Sequence, residues 1–244
     1  MTGLASLSHP AGLLAAWEQA ALAPAAARGA VLVRHGGLAE DMESALGLPV
    51  GQIGVLAGRL YAEEFGDALE ALVPCAGCGE VLDVNLPLAA LRAVSARPES
   101  RVPTPDGDEL TVRPLTTRDL LVAGRAADPA AVLLSRCVFD PTGAPVDPAD
   151  LTPDVVARVD AAAERLAGAA AAVVRTECPD CGAEALVPVD MGALLWQRVA
   201  SAAAALIAEV ATLASAFGWR EADVLELSPV RRGMYLRLAG GGAA

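Results

Sequence analysis

The sequence predicts an α+β fold: a split four-cysteine ribbon that carries an N-terminal helical module, an inserted subdomain and a C-terminal helical arm. Three observations lead there. Apolar residues recur at helical spacing near both ends of the chain, the period shortens to two around a pair of Cys-x-x-Cys-Gly turns, and 99 residues (79 to 177) separate those turns. With 244 residues, 54% of them hydrophobic, a sizeable core is available. Alanine dominates the apolar content, aromatics are 3%, and lysine is absent, so all 18 basic residues are arginine. Helix propensity inferred from alanine is discounted for that bias.

The elements follow in order. In an N-terminal module, 1–67, Leu13, Leu14, Trp17 and Leu22 mark an amphipathic helix over 11–28, which Pro24 should bend or shorten. A second helix is expected over 50–65, after Leu48-Pro49, with Gly66 as its C-cap. Residues 68–90 read as strand, Cys-Gly turn and return strand, the first half of the ribbon. Residues 91–169 read as an inserted, mostly helical subdomain. It opens on a proline-rich acidic stretch, Arg97 to Asp108, followed by a strand at 110–113, helices near 117–126 and 129–137, a Pro/Asp loop and a helix at 154–167. Residues 170–190 repeat the strand–turn–strand layout. In the arm, 191–244, Asp190 is placed to cap a long helix that Gly218 stops after Phe217, and Ser228-Pro229 opens a last helix before a glycine-rich tail.

The two turns are Cys75-Ala76-Gly77-Cys78-Gly79 and Cys178-Pro179-Asp180-Cys181-Gly182. Two residues between thiolates let both sulfurs reach one tetrahedral ion at about 2.3 Å. The glycine after each second cysteine permits a positive φ. Cys75, Cys78, Cys178 and Cys181 are therefore expected to hold one Zn2+ per chain. The gap exceeds that of a compact zinc ribbon, and an insertion leaving one β-turn and returning to its neighbour accounts for it. A four-thiolate site is coordinatively closed, so the zinc is read as structural. Local disulfides, a redox CxxC and unrelated buried cysteines are the rival readings. The N-terminus has no basic n-region and carries Glu18, so the chain reads as cytoplasmic, where disulfides are rare. A redox pair belongs at a helix N-terminus, which Glu80-Val81-Leu82 does not resemble. Cys137 reads as a packing residue.

A net charge of -12, with Arg231, Arg232 and Arg237 as the one compact basic cluster, argues against nucleic acid as a partner. The stretch 199–218 has a single charge, Glu209, near its middle, but alanine supplies half of it. A membrane span is not expected, because a carboxylate at the bilayer centre costs about 2–3 kcal/mol that so few leucines do not offset. His9 and His35 lack a triad pattern, no phosphate-binding loop is present, and the carboxylates read as solvated surface. No enzymatic activity and no small-molecule substrate are expected.

The remaining motifs carry a resemblance. Leu48-Pro49-Val50-Gly51, Phe65-Gly66, the run Arg113-Pro114-Leu115-Thr116-Thr117-Arg118-Asp119-Leu120-Leu121, Leu134-Ser135-Arg136-Cys137, Leu194-Leu195-Trp196 and the ending from Phe217 to Leu236 accompany the second knuckle. Together they resemble the zinc-knuckle baseplate or baseplate-hub assembly proteins of contractile phage tails and phage-like contractile injection systems, of the T4 phage type. Most of the chain takes part. It departs from that pattern at Arg220, where a small polar cap follows the tryptophan, and at Glu209-Val210-Ala211, which lacks a histidine. The resemblance implies a non-enzymatic component or assembly factor whose partners are other baseplate or tail proteins. Trp219, Leu225, Leu227, Arg231, Arg232 and Tyr235 are the expected partner-binding residues, since aromatics and arginine mark binding surfaces. Packing of this tail on its own domain is the competing expectation. From another class come a CxxC thiol oxidoreductase and a zinc-ribbon adaptor in transcription or translation.

Overall fold

The computed structural model describes residues 7–88 and 98–241, and it is a mixture of helices and small antiparallel sheets, an α+β fold. Helix α1 (Pro10–Leu22) starts at a first-turn proline and stops two residues before Pro24, which has no N–H to continue the ladder. Its Leu14, Ala16 and Ala20 are buried, while Leu22, expected on the same face, is the last residue of the helix and is 90% exposed. The helix expected over 11–28 is thus shortened ahead of Pro24, and a 3-10 turn, Ala25–Ala27, leads into α2 (Arg28–His35). His35 is buried and bonded to Gln19, and burial lowers its pKa, with Arg34 adding to the effect. It is a core histidine, not an exposed one.

Asp41 caps the short α3 (Met42–Gly47), and α4 (Val50–Phe65) ends at Gly66 with φ 102°, as its sequence predicts. The principal core gathers α1, α2, α4 and the start of α8 (Met191–Phe217) around Leu32, Val33, Leu60, Met191, Leu195 and Val199. Close approach of α2 to α8 depends on glycine: a Cβ on Gly29 would lie 3.3 Å from the Gly192 Cα.

Strands β1 (Ala68–Pro74) and β2 (Val81–Pro87) form one antiparallel hairpin, and β6 (Ala172–Glu177) and β7 (Glu184–Val189) form another. Between them, β3 (Ser100–Pro103), β4 (Glu109–Val112) and β5 (Val138–Phe139) make a three-stranded sheet. It packs with α7 (Pro153–Ala167) around Val102, Leu110, Val112, Val138, Val155, Val159 and Leu166. Strand β3 occupies part of the proline-rich acidic stretch, ahead of the strand expected at 110–113. That stretch also begins outside the described residues. Helices α5 (Thr117–Ala123) and α6 (Pro129–Cys137) complete this region.

The segment between the two hairpins is bonded to the N-terminal helices: the Val50 N–H donates to the Leu115 carbonyl at 2.8 Å, and Arg118 pairs with Glu43. The Asp190 carboxylate accepts the Ala193 N–H at 3.0 Å to start α8, and Gly218, left-handed at φ 67°, ends it. Among the described residues α8 is the one helix long and apolar enough, by length and composition, to cross a membrane. Its buried residues, Met191, Leu195, Val199, Ala203, Leu206 and Leu213, follow helical spacing and turn toward the core. The chain closes with α9 (Glu221–Leu225) and α10 (Pro229–Gly241), both packed back on α8.

Candidate metal centre

Each cysteine turn is locked by the same two backbone bonds. In the first, the Cys75 N–H donates to the Glu80 carbonyl and the Gly79 N–H to the Cys75 carbonyl, both at 2.8 Å; in the second, Cys178 donates to Ala183 and Gly182 to Cys178, both at 2.9 Å. The closing residues, Gly79 and Gly182, sit at φ 79° and 69°, a region that penalises a Cβ. The turns are thus one local structure made twice, each held at the tip of a hairpin.

The tips face each other. All four sulfurs lie within 4.8 Å of one another, with Cys75 Sγ 3.7 Å from Cys181 Sγ and Cys78 Sγ 3.7 Å from Cys178 Sγ. Metal–sulfur bonds of about 2.3 Å in a tetrahedron give an edge of about 3.8 Å, whereas a disulfide holds its sulfurs about 2.05 Å apart. The observed spacing is that of a coordination shell. Cys75 and Cys178 are buried and pack with Leu82, Ala185 and Val187, while Cys78 and Cys181 are exposed. Neither pair opens a helix, because β2 follows the first and β7 the second. That removes the dipole by which redox CxxC motifs lower a thiol pKa.

The thiols also act on one another. N–H groups of Cys78 and Gly77 bring the Cys75 thiol down to about 7. The Cys78 thiol is pushed up to about 12: the Glu80 N–H lowers it, but hydrogen bonding with Cys181 and Cys178 overrides that. Cys181 is raised too, against its Ala183 and Cys78 bonds, by Cys178 and by burial. A divalent ion held among them would deprotonate its coordinating thiols outright. The four cysteines therefore form a cluster suited to a bound metal.

Gly77, which carries no ligand atom, is part of the site and was not distinguished in the sequence from the alanine beside it. A Cβ there would stand 3.1 Å from the Ala183 Cβ and 3.3 Å from Cys181 Sγ. The signal was present only as the tip position of a turn that had to meet a second turn.

A second cluster went unread. Asp119, fully buried, accepts from Arg113 at 2.7 and 3.1 Å, from Arg136 Nε at 2.7 Å, and from the N–H and hydroxyl of Thr116 at 3.0 and 2.7 Å. The Cys137 thiol donates to it at 3.8 Å, and burial first, then the Asp119 charge, pushes that thiol up to about 11 against Arg113. Cys137 is thus buried and protonated at neutral pH.

The residues expected to bind a partner divide. Trp219 stacks on Phe217 with centroids 4.9 Å apart and meets Tyr235 edge-on at 4.8 Å. Arg232 Nε pairs with Glu209 at 2.6 Å, and Leu225 packs beside Leu14 and Leu206. Leu227 is half-buried and Arg231 exposed. Arg220, in place of a small polar cap, is served from the other side: its N–H and guanidinium both donate to Asp223.

Comparison with protein-family models, curated proteins and solved structures finds no match to this chain.

Proposed function

We propose that the four thiolates hold one structural zinc, that the two hairpins form a split zinc ribbon around it, and that the protein is a non-enzymatic component or assembly factor of a contractile-tail or injection-system baseplate. The zinc rests on the closed, all-sulfur donor set and its tetrahedral spacing, which suit a borderline-soft ion and leave no position for water or substrate. The ion supplies what neither two-stranded hairpin has alone, a fixed partner.

The baseplate reading rests on the resemblance of sequence, and one observation supports it. Motifs that carry the resemblance coincide with the joints of the molecule: Arg113, Thr116, Arg136 and Cys137 meet around the buried Asp119, and Phe217, Trp219 and Tyr235 meet in a partly exposed aromatic cluster. Residues spread over the chain that converge in this way belong to one architecture. A cytoplasmic location follows from the same reading.

Affinity purification of the tagged protein from its native cell tests it. Sheath, tube, spike or baseplate-wedge proteins are expected to co-purify. Their consistent absence, with nucleic-acid or polymerase components in their place, would favour an adaptor and remove the tail assignment.

A further inference from the structure

Helix α10 turns one face onto α8 and leaves the opposite face bare. On the inner side Tyr235 and Arg232 reach Trp219 and Glu209. On the outer side Val230, Met234 and Leu238 recur at every fourth residue and are 78%, 53% and 63% exposed. Residues four apart lie one above the other on a helix, so these three form a continuous apolar stripe. A turn of 3.6 residues sets Arg231 on one margin of that stripe and Arg237 on the other, and both are exposed.

We propose that this face docks an amphipathic helix of another protein, its apolar stripe covering Val230, Met234 and Leu238 and its carboxylates meeting Arg231 and Arg237. The inference deepens the binding role proposed above and rests on it only in taking the chain to act through a protein partner. It also moves the contact surface away from Trp219, Tyr235 and Arg232, whose side chains are committed to the fold.

Charge selects the occupant. The chain carries a net charge of -12, and its compact basic cluster lies on this helix. A second copy is disfavoured, since a two-fold interface brings a patch onto itself and would oppose these arginines to the same arginines. An anionic bilayer is disfavoured because it extends past the stripe and its arginine margins and would meet the negative charge of the rest of the chain, which totals -12. A single acidic helix laid along α10 touches the stripe and its margins alone. Arginine margins around an apolar stripe also give partner choice and orientation in the way that charged flanks do in helix pairs.

The test uses the full-length chain and three probes: a synthetic amphipathic helix with leucines flanked by glutamates, the same helix with lysines for the glutamates, and vesicles containing phosphatidylserine. Titration is expected to show saturable binding of the acidic helix, at least about tenfold tighter than of the lysine version and weakening with salt. Met234→Glu is expected to abolish it. The double variant Arg231→Gln/Arg237→Gln, which keeps the stripe, is expected to weaken it about tenfold and flatten the salt dependence. Unchanged metal content and circular dichroism show that each variant is folded. Failure to bind the acidic helix, equal binding of both helices, preference for vesicles, or self-association relieved by Met234→Glu would each overturn the proposal. None of these outcomes bears on which proteins co-purify from the cell, so failure here and failure of the tail assignment stay distinguishable.

Discussion

Asp119 shows how much of this molecule depends on single polar side chains. Burial alone would raise its pKa, but the two arginines and Thr116 hold the carboxyl well below the ordinary carboxylate range. The folded-state value therefore lies under the unfolded one. As pH falls, the unfolded chain takes up the proton first, so this stabilisation is complete above the ordinary value near about 4 and is lost as pH drops through it toward the folded value. Asp119→Asn leaves Arg113 and Arg136 facing an amide without its charge. A broken buried ion pair costs about 3–5 kcal/mol, and since both arginines are about a third exposed the cost here is expected near the lower end. Urea denaturation at pH 7 should show that loss, and the difference between wild type and variant should shrink at pH 3; a difference independent of pH would contradict the assignment. Gly77 gives a second residue-scale outcome. Gly77→Val is expected to force the two turns apart and weaken metal retention against a chelator by at least about tenfold, because a branched side chain cannot fit against Cys181 and Ala183. Retention equal to wild type would show that the turns have room to spare.

At the scale of elements, legibility followed the strength of the local signal. Asp190, Gly66, Gly218 and Ser228-Pro229 mark helix ends by cap chemistry that needs no tertiary partner, and the structure places helix boundaries there. The cysteine turns were legible for the same reason, as were the strands on either side of them. What escaped was short or relational. Strand β3 lies in a proline-rich stretch that hides its pattern, β5 has two residues, and both exist because β4 pairs with them. Helix α2 has eight residues, and Gly29 to Val33 are buried in succession, so it shows no polar face to give it away. For α10, composition indicated an aromatic and arginine-rich arm but not which side met α8. Tyr235 and Arg232 turned inward, and the bare side fell to three aliphatic residues that composition did not single out.

At the scale of the whole molecule, the two turns form a closure. Residues 79 to 177 run from one turn to the other, through a region with its own sheet and apolar cluster. An ion held by the four sulfurs would join the ends of that long loop, and a crosslink that closes a long loop removes more disorder from the unfolded chain than one that closes a short loop. Metal loss is then expected to loosen both hairpins together, with effects on the insertion they bracket. This is the physical content of a structural ion: binding free energy is folding free energy. The account stands on that ion and on its ligands being these four sulfurs. X-ray absorption at the zinc edge on the purified chain, with metal stoichiometry measured on the same sample, tests it most directly. The prediction is about one zinc per chain with four sulfur scatterers at about 2.3 Å; nitrogen or oxygen in the first shell, or a metal-free protein with its cysteines paired as disulfides, would contradict it.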